Sequence, residues 1–263
     1  MVSTLSIILM AVGAVIGVAL PLLMSLWLVK RHHVSPATII VGALVFIVFA
    51  LGLEPVVHQI VLKGPKGPEI LDNIWLYALY GGSMAALFEE TGRFAAMKWV
   101  LGKAPSKVKT GVAYGFGHGG IEMLLLFGIG LISNIVMSLM INAGKSDLLL
   151  ATAQPDALAE AQAQLDALKD ITASSIGFGL LERLSAFLLQ VSMSVMMWIG
   201  IRRGGKWLWL VPAMYLLHFL VDACCVVLVK NASIAATELI VLALSLAAGA
   251  AALQLCRNSE KNA

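Results

Sequence analysis

Two adjacent carboxylates and an arginine stand close together in a stretch of the chain that is otherwise apolar. Glu89, Glu90 and Arg93 follow a run from Ile74 to Phe88 that carries no charge. At the centre of a membrane helix, each ionisable side chain costs about 2.5–3.5 kcal/mol on insertion scales, so such residues usually mark a functional site. A glutamate in this setting can act as a general base on water.

Two histidine–carboxylate pairs follow later in the chain. His118 precedes Glu122 by four residues, and His218 precedes Asp222 by four residues. Residues with this spacing lie one above the other on a single helix face, so each pair can direct an imidazole nitrogen and a carboxylate oxygen at one point. Two histidines and a carboxylate, with water at the open position, form a common catalytic zinc shell. A metal-free site, in which histidines hold a glutamate that activates water, is the alternative.

The composition places these residues in a membrane protein. Of the 263 residues, 60% are hydrophobic and 13% are charged, and the mean hydropathy is +0.92. A soluble domain carries about 25% charged residues. The small net charge of +3 gives no indication of a nucleic-acid partner, and we expect the lipid bilayer to be the environment of the chain.

Seven segments are apolar and long enough to cross a bilayer, which takes about 20 residues. They cover about 3–29, 36–62, 72–101, 111–141, 172–201, 207–229 and 233–256. We therefore expect an all-α, polytopic integral membrane bundle of about seven transmembrane helices, forming a single domain over 1–263. Glycines between 111 and 130 predict close helix packing or a local break in the fourth span. The polar residues fall on the third to sixth spans, at depths that allow them to meet in one slab of the membrane.

Basic residues are distributed unevenly between the loops. The first, third and fifth loops and the C-terminal tail together hold ten Lys and Arg residues, and the other three loops hold five. The positive-inside rule then places the N-terminus outside and the C-terminus in the cytoplasm. The fourth loop, at about 142–171, becomes an external piece with a predicted amphipathic helix from Pro155 to Asp170. This helix is either a solvated connector or a lid over the substrate.

Several other polar residues are assigned structural roles. Arg93 is expected to form an ion pair with Glu89 or Glu90. Glu182 and Arg183 are adjacent and face different ways, which favours packing or charge balance. Three further histidines lie in or near loops and are weak site candidates: His32, His33 and His58.

Together, these motifs resemble those of the YhfC family of bacterial intramembrane peptidases. The matching motifs are, in chain order, Glu89-Glu90-xx-Arg93, Gly117-His118-Gly-Gly-Ile-Glu122, Glu182-Arg183 and His218-xxx-Asp222. The wider order is also similar to that of the PrsW proteases and of the CAAX-protease and bacteriocin-processing group. The resemblance covers most of the chain, from the first span to Asp222, and four motifs in order on separate spans are more specific than any one of them.

The resemblance implies a protease of the bacterial plasma membrane, in which the first-motif glutamates carry catalysis and the histidines bind metal or polarise water. The family pattern tends to have a further histidine after the Glu-Arg pair of the fifth span. Gln190 stands near that position here, which supports taking metal ligands from the fourth and sixth spans.

We therefore predict an intramembrane peptidase with a divalent metal, zinc, and a glutamate base. The predicted catalytic residues are Glu89, Glu90 and Arg93, and the predicted metal residues are His118, Glu122, His218 and Asp222. Glu122 is either a fourth ligand or the carboxylate that orients an imidazole. The substrate would be a membrane-embedded or membrane-anchored peptide. Because His118 is the shallowest site residue as measured from the cytoplasm, we expect the cleft to open to that side.

Two other classes of function bury similar residues. A cation- or proton-coupled transporter also places Glu, His and Asp near the membrane midplane, although the inverted repeats typical of such transporters are not evident in the sequence. A non-catalytic membrane scaffold or immunity-type protein that retains a pseudo-active site is the third possibility.

Cysteine labelling tests the predicted topology. In a chain without its native cysteines, cysteines placed at Lys107 and at Asp156 should react with a membrane-impermeant thiol reagent from opposite sides, cytoplasmic and external respectively, because the loop charges orient the bundle in that way. Labelling of both positions from one side would contradict the orientation.

Overall fold

Helices are the only regular elements wherever the computed structural model describes the chain, at residues 1–105, 107–151, 153–154 and 157–260, with the side chains of 259 and 260 excepted. In that part they are, in order, α1 Thr4–His32, α2 Pro36–Leu62, α3 Gly67–Asp72, α4 Ile74–Ala95, α5 Val108–Asn142, α6 Ser146–Leu150, α7 Leu158–Lys169, α8 Ala173–Arg203, α9 Leu210–Asn231 and α10 Ile234–Glu260. The predicted all-α class is confirmed.

Six helices of the described chain are long and apolar enough to cross a membrane. They are α1, α2, α5, α8, α10, and α9 together with the 3-10 turn Gly205–Trp209 that precedes it. The predicted polytopic membrane bundle is therefore confirmed. Helix α4 runs on into a π-helical turn, Ala96–Val100, and so has a similar length. It is not among the six, because its two glutamates and its arginine make it more polar. A seventh span and the orientation of the bundle stay predictions.

Hydrogen bonds tie the helix ends into two opposite faces of the bundle. At one end, Val2 N–H donates to the side chain of Asn142 over 2.7 Å, which joins the start of α1 to the end of α5. We call this the α7 end, since α7 follows there. At the opposite end, the side chain of Lys109 donates to the carbonyl of His32 over 2.8 Å. We call it the basic end, because the last turns of α1 and α8 carry basic residues there: Lys30, Arg31, Arg202 and Arg203.

Polar caps start the long helices at the α7 end. The Ser3 side chain accepts from the first turn of α1, and the Asn73 side chain accepts from the first turn of α4. Thr172 and Ser175 form a reciprocal capping box at the start of α8. These side chains satisfy backbone N–H groups that have no partner within the helix, which explains why the helices begin at these residues.

Helices α2 and α5 cross so closely that their backbones touch. A Cβ atom added at Gly117 would lie 1.9 Å from the carbonyl oxygen of Ile39, and one added at Gly42 would lie 2.2 Å from the carbonyl oxygen of Tyr114. Only glycine permits this approach. The predicted close packing of the glycine-rich segment is observed, and it fixes the backbone on both sides of residue 118. The segment also contains a π-helical stretch, Met123–Ile129.

A dense apolar core closes the basic end of the bundle. Its fully buried side chains come from the π turn after α4, from α8 and from the start of α9: Met97, Met193, Met197, Trp198 and Leu210. Methionine side chains are flexible and fill irregular gaps between helices, so such a cluster leaves little free space. This core fills the space between α4, α8 and α9 on this side of the bundle.

The loop between α5 and α8 contains the predicted amphipathic helix. It was expected from Pro155 to Asp170 and is observed as α7, while Pro155 and Asp156 lie outside the described residues. Leu165 and Leu168 are buried against the apolar ends of α1, α5 and α8. The remaining face of α7 is polar and exposed, as an interfacial helix requires.

The close crossing of α2 and α5 predicts that a single methyl group added at Gly117 strongly destabilises the protein. Gly117→Ala should lower the melting temperature in detergent, because the clash is with backbone and side-chain rotation cannot relieve it. Overpacking of this kind costs about 1–3 kcal/mol or more. Gly130→Ala on the same helix is the matched control, since no atom lies within 4 Å of the added Cβ there. Equal melting of the two variants would show that the helices separate at little cost.

Candidate active site

The Glu89 carboxylate of α4 faces α5 and α8. Its Oε2 accepts from Nε2 of His118 at 2.9 Å and from Nε2 of Gln190 at 2.8 Å. His118 is fully buried and stacks against Tyr114, one turn earlier on α5. Glu89 is thus held by two donors on two different helices.

The neighbouring carboxylate, Glu90, faces α9 and has different partners. Its Oε1 accepts from Nδ1 of His218 at 2.8 Å and forms an ion pair with Nη1 of Arg93 at 3.1 Å. The Glu90 and Arg93 side chains are completely buried. The two glutamates therefore point to separate partners, as a regular helix requires for adjacent residues. Arg93 pairs with Glu90 at a spacing of three residues, and its contact with Glu89 runs through Gln190.

The side chain that links these groups is Gln190 on α8. Its amide nitrogen donates to Glu89 and, over 3.0 Å, to Oε2 of Glu122, and its amide oxygen accepts from Arg93. The sequence marked this position only as a departure from a family pattern. A spacing of seven residues puts Gln190 on the same face of α8 as Arg183, and this signal could have revealed it.

Helix α8 also balances charge at Glu122. Arg183 lies 3.4 Å from Oε1 of Glu122 and also pairs with Glu182. The charge-balancing role predicted for Glu182 and Arg183 agrees with this geometry. Glu122 directly precedes the π-helical stretch of α5. A π stretch alters the helix register and is frequent at functional sites.

On α9, His218 lies between two carboxylates. Its Nδ1 meets Glu90, while its Nε2 lies 3.4 Å from Oδ2 of Asp222, one turn further along the helix. The second contact is long for a hydrogen bond. The side chain of Asp222 is 35% exposed, whereas Glu90 is fully buried. Side-chain exposure therefore increases from Glu90, in the interior of the bundle, to Asp222 on α9.

Carboxylates outnumber guanidinium groups in this cluster. The cluster contains four carboxylates and two guanidinium groups: Glu89, Glu90, Glu122 and Asp222, and Arg93 and Arg183. In a low-dielectric interior such an excess of negative charge is costly unless protons or other cations compensate it. Each histidine presents a ring nitrogen to a carboxylate, and a proton held between the two provides that compensation.

The side chains predicted as metal ligands are close together but do not converge on one point. Within the described residues, no group of three or more His, Cys, Asp and Glu side chains is placed to hold a metal ion. The reason is that partners on facing helices compete with the partner on the same helix: His118 binds Glu89, and Glu122 binds Gln190 and Arg183.

The Arg93 guanidinium already places a positive charge at the centre of the cluster. Arg93 contacts Glu90 directly and reaches Glu89 through Gln190, so a fixed positive charge lies between the two histidine–carboxylate pairs. This charge repels a metal ion locally, whereas the surplus of carboxylates attracts one, so the fit of a metal depends on the geometry of its ligands. A divalent ion would require the existing pairs to open, and the arrangement does not fit one. The zinc ligands stay a prediction.

Comparisons with known proteins agree with the resemblance seen in the motifs. The model of a family described as YhfC intramembrane metalloprotease matches residues 16–243, which include every site residue named above. A protein of Bacillus subtilis (strain 168) named "Uncharacterized membrane protein YhfC" is 32% identical over 204 residues, which are 77% of this chain and 78% of that protein. No solved structure matches the chain.

These findings and the apolar helices make the chain a multi-pass membrane protein. The family description implies a metal and a peptidase activity, while the relative has no assigned function. The match covers most of the chain, and the chain belongs to the YhfC intramembrane metalloprotease family.

Proposed function

We propose that the chain is an intramembrane peptidase in which Glu89 activates a water molecule for attack on a peptide bond. The observation that carries this proposal is the environment of Glu89. Two donors, His118 and Gln190, hold one carboxylate oxygen, and within the described residues Oε1 has no hydrogen-bond partner and can accept from water. A base must be within hydrogen-bond reach of its proton, so a fixed and partly accessible carboxylate suits this role.

Glu90 is less suited to be the base. Its side chain is fully buried, whereas that of Glu89 is 10% exposed. Its Oε1 is also shared between Arg93 and His218, which holds the carboxylate in place. We assign Glu90 and Arg93 to positioning: Arg93 holds Gln190, and Gln190 holds Glu89.

The reaction then uses groups of the chain alone. Glu89 takes a proton from water as the water oxygen bonds to the peptide carbonyl carbon, and the carbonyl electron pair moves to oxygen. Nε2 of His218 is suited to donate to that oxygen when both ring nitrogens carry a proton, since Nδ1 then donates to Glu90 while the Nε2 contact with Asp222 is long and exchangeable. When the C–N bond breaks, Glu89 returns the proton to the leaving nitrogen.

The substrate class follows from where the site lies. A carboxylate cluster within a bundle of membrane-spanning helices meets peptides that are themselves embedded in or anchored to the bilayer. We therefore propose a membrane protein or lipid-anchored peptide as the substrate.

Replacement of the base tests the proposed function. Cells that express the wild-type chain should contain new peptide N-termini in their membrane fraction, detected by N-terminal labelling and mass spectrometry. Glu89→Gln should remove them, because loss of a general base lowers the rate by about 10²–10⁴-fold. Glu160→Gln on the exposed face of α7 is the matched control and should preserve them. If Glu89→Gln, at wild-type abundance, gave the same N-termini as the wild type, the assignment of the base would be wrong.

Metal content separates this route from the metal-assisted one that the family description implies. We expect the purified wild-type protein to hold less than one equivalent of transition metal by elemental mass spectrometry, because its donors are paired with one another. His218→Ala should not change that value. A stoichiometric metal in the wild type that disappears in His218→Ala would restore the predicted zinc shell of His118, His218, Asp222 and Glu122.

A further inference from the structure

A second hydrogen-bonded cluster lies between α2 and α4, outside the residues used so far. Nδ1 of His58 lies 2.8 Å from the hydroxyl of Tyr80, and Nε2 of His58 lies 3.2 Å from Oε1 of Glu54. The sequence placed His58 near a loop and gave it little weight. In the structure it stands within α2, one turn after Glu54, which directly follows the π-helical stretch Phe46–Leu53.

This cluster adjoins the candidate active site. The Glu54 carboxylate lies within electrostatic range of Glu89, His218 and Asp222. Tyr80 precedes Glu89 by nine residues on α4, about two and a half turns towards the α7 end. The line from Tyr80 through His58 and Glu54 therefore runs from the α7 end towards the catalytic carboxylate.

Among the charged side chains around the active site, the more exposed ones lie towards the α7 end. The side chain of His58 is 32% exposed, that of Asp222 35% and that of Glu182 40%. These residues belong to three different helices, α2, α9 and α8. Charged groups that faced hydrocarbon would be costly, so their exposed surfaces belong to a polar opening.

Towards the basic end, apolar side chains cover the cluster. Arg93, Tyr114 and His118 are fully buried, and the apolar core of methionines with Trp198 lies between them and the basic end. Close packing leaves no path for water through such a core. Among the described residues of this cluster, those towards the α7 end combine exposure with charge.

We propose that the active site opens at the α7 end, through a mouth walled by Glu54, His58 and Tyr80 on one side and by Asp222 and Glu182 on the other. Water reaches Glu89 through this mouth. The hydrogen bond between His58 and Tyr80 joins α2 to α4, and the contact of His58 with Glu54 on the same helix holds the imidazole in place.

The proposal changes the side of the membrane from which the active site is reached. The sequence led us to expect a cleft that opens to the cytoplasm. With the predicted topology, the α7 end is external, so water and substrate would reach Glu89 from the outer side of the membrane. The reaction itself rests on the proposed function, while the position of the mouth does not.

Thiol accessibility tests the mouth without any need for activity. The native Cys225 is half-buried on α9, one turn from Asp222 towards the α7 end, and serves as a reporter after Cys224→Ser and Cys256→Ser. His58→Cys in a background without native cysteines reports from the opposite wall. Both thiols should react with a membrane-impermeant, charged methanethiosulfonate from the same side as a cysteine at Gln162 on α7.

Two controls define the closed side. A cysteine at Lys107 marks the basic end, and Met97→Cys probes the apolar core. Met97→Cys should react at least about tenfold more slowly than His58→Cys from either side, since a buried thiol reacts only after local opening. If Cys225 and His58→Cys react from the Lys107 side, or react as slowly as Met97→Cys, the proposed mouth is wrong.

The reporters also keep the two proposals separate. If labelling follows the expected pattern but Glu89→Gln leaves all membrane-protein N-termini unchanged, the mouth stands and the peptidase assignment fails. If new N-termini depend on Glu89 but both reporters label from the Lys107 side, the peptidase stands and the mouth fails.

Discussion

A carboxylate in the interior of a bilayer has to be matched by donors, and α4 brings two carboxylates in adjacent positions. Helical geometry turns Glu89 and Glu90 about 100° apart, so their partners have to come from different neighbours. His118 and Gln190 match the first, and His218 with Arg93 matches the second. The placement of α5, α8 and α9 around α4 follows from this one dipeptide.

Hydropathy and helix periodicity predicted most of the architecture. The apolar segments became membrane-length helices within a few residues of their expected limits, and the short amphipathic helix formed as α7. Hydropathy works because a bilayer accepts only segments whose backbone groups are satisfied internally. It works less well for α4, since the residues that give the helix its role also make it the most polar of the long helices.

The candidate site was predicted as a set of residues but not as a set of contacts. Spacing by four shows which side chains share a face of one helix. It does not show whether a side chain on a facing helix lies closer. In the structure, His118 contacts Glu89 of α4 and does not share a ligand with Glu122. Gln190 and His58 were missed for the same reason, because their significance lies in partners on other helices.

The backbone contact between α2 and α5 has a consequence for how the molecule can move. Because Gly117 and Gly42 each lie against a carbonyl of the facing helix, sliding or tilting of one helix on the other would force backbone atoms together, and we expect the two helices to move as a unit. Helix α4 packs mainly against α9, and polar side chains tie this pair to α5 and α8. Hydrogen bonds between side chains can be replaced by hydrogen bonds to water, whereas helices with interlocked backbones separate less easily. Under the proposed function, a substrate helix would enter by a rocking of the α4–α9 pair against the α2–α5 frame.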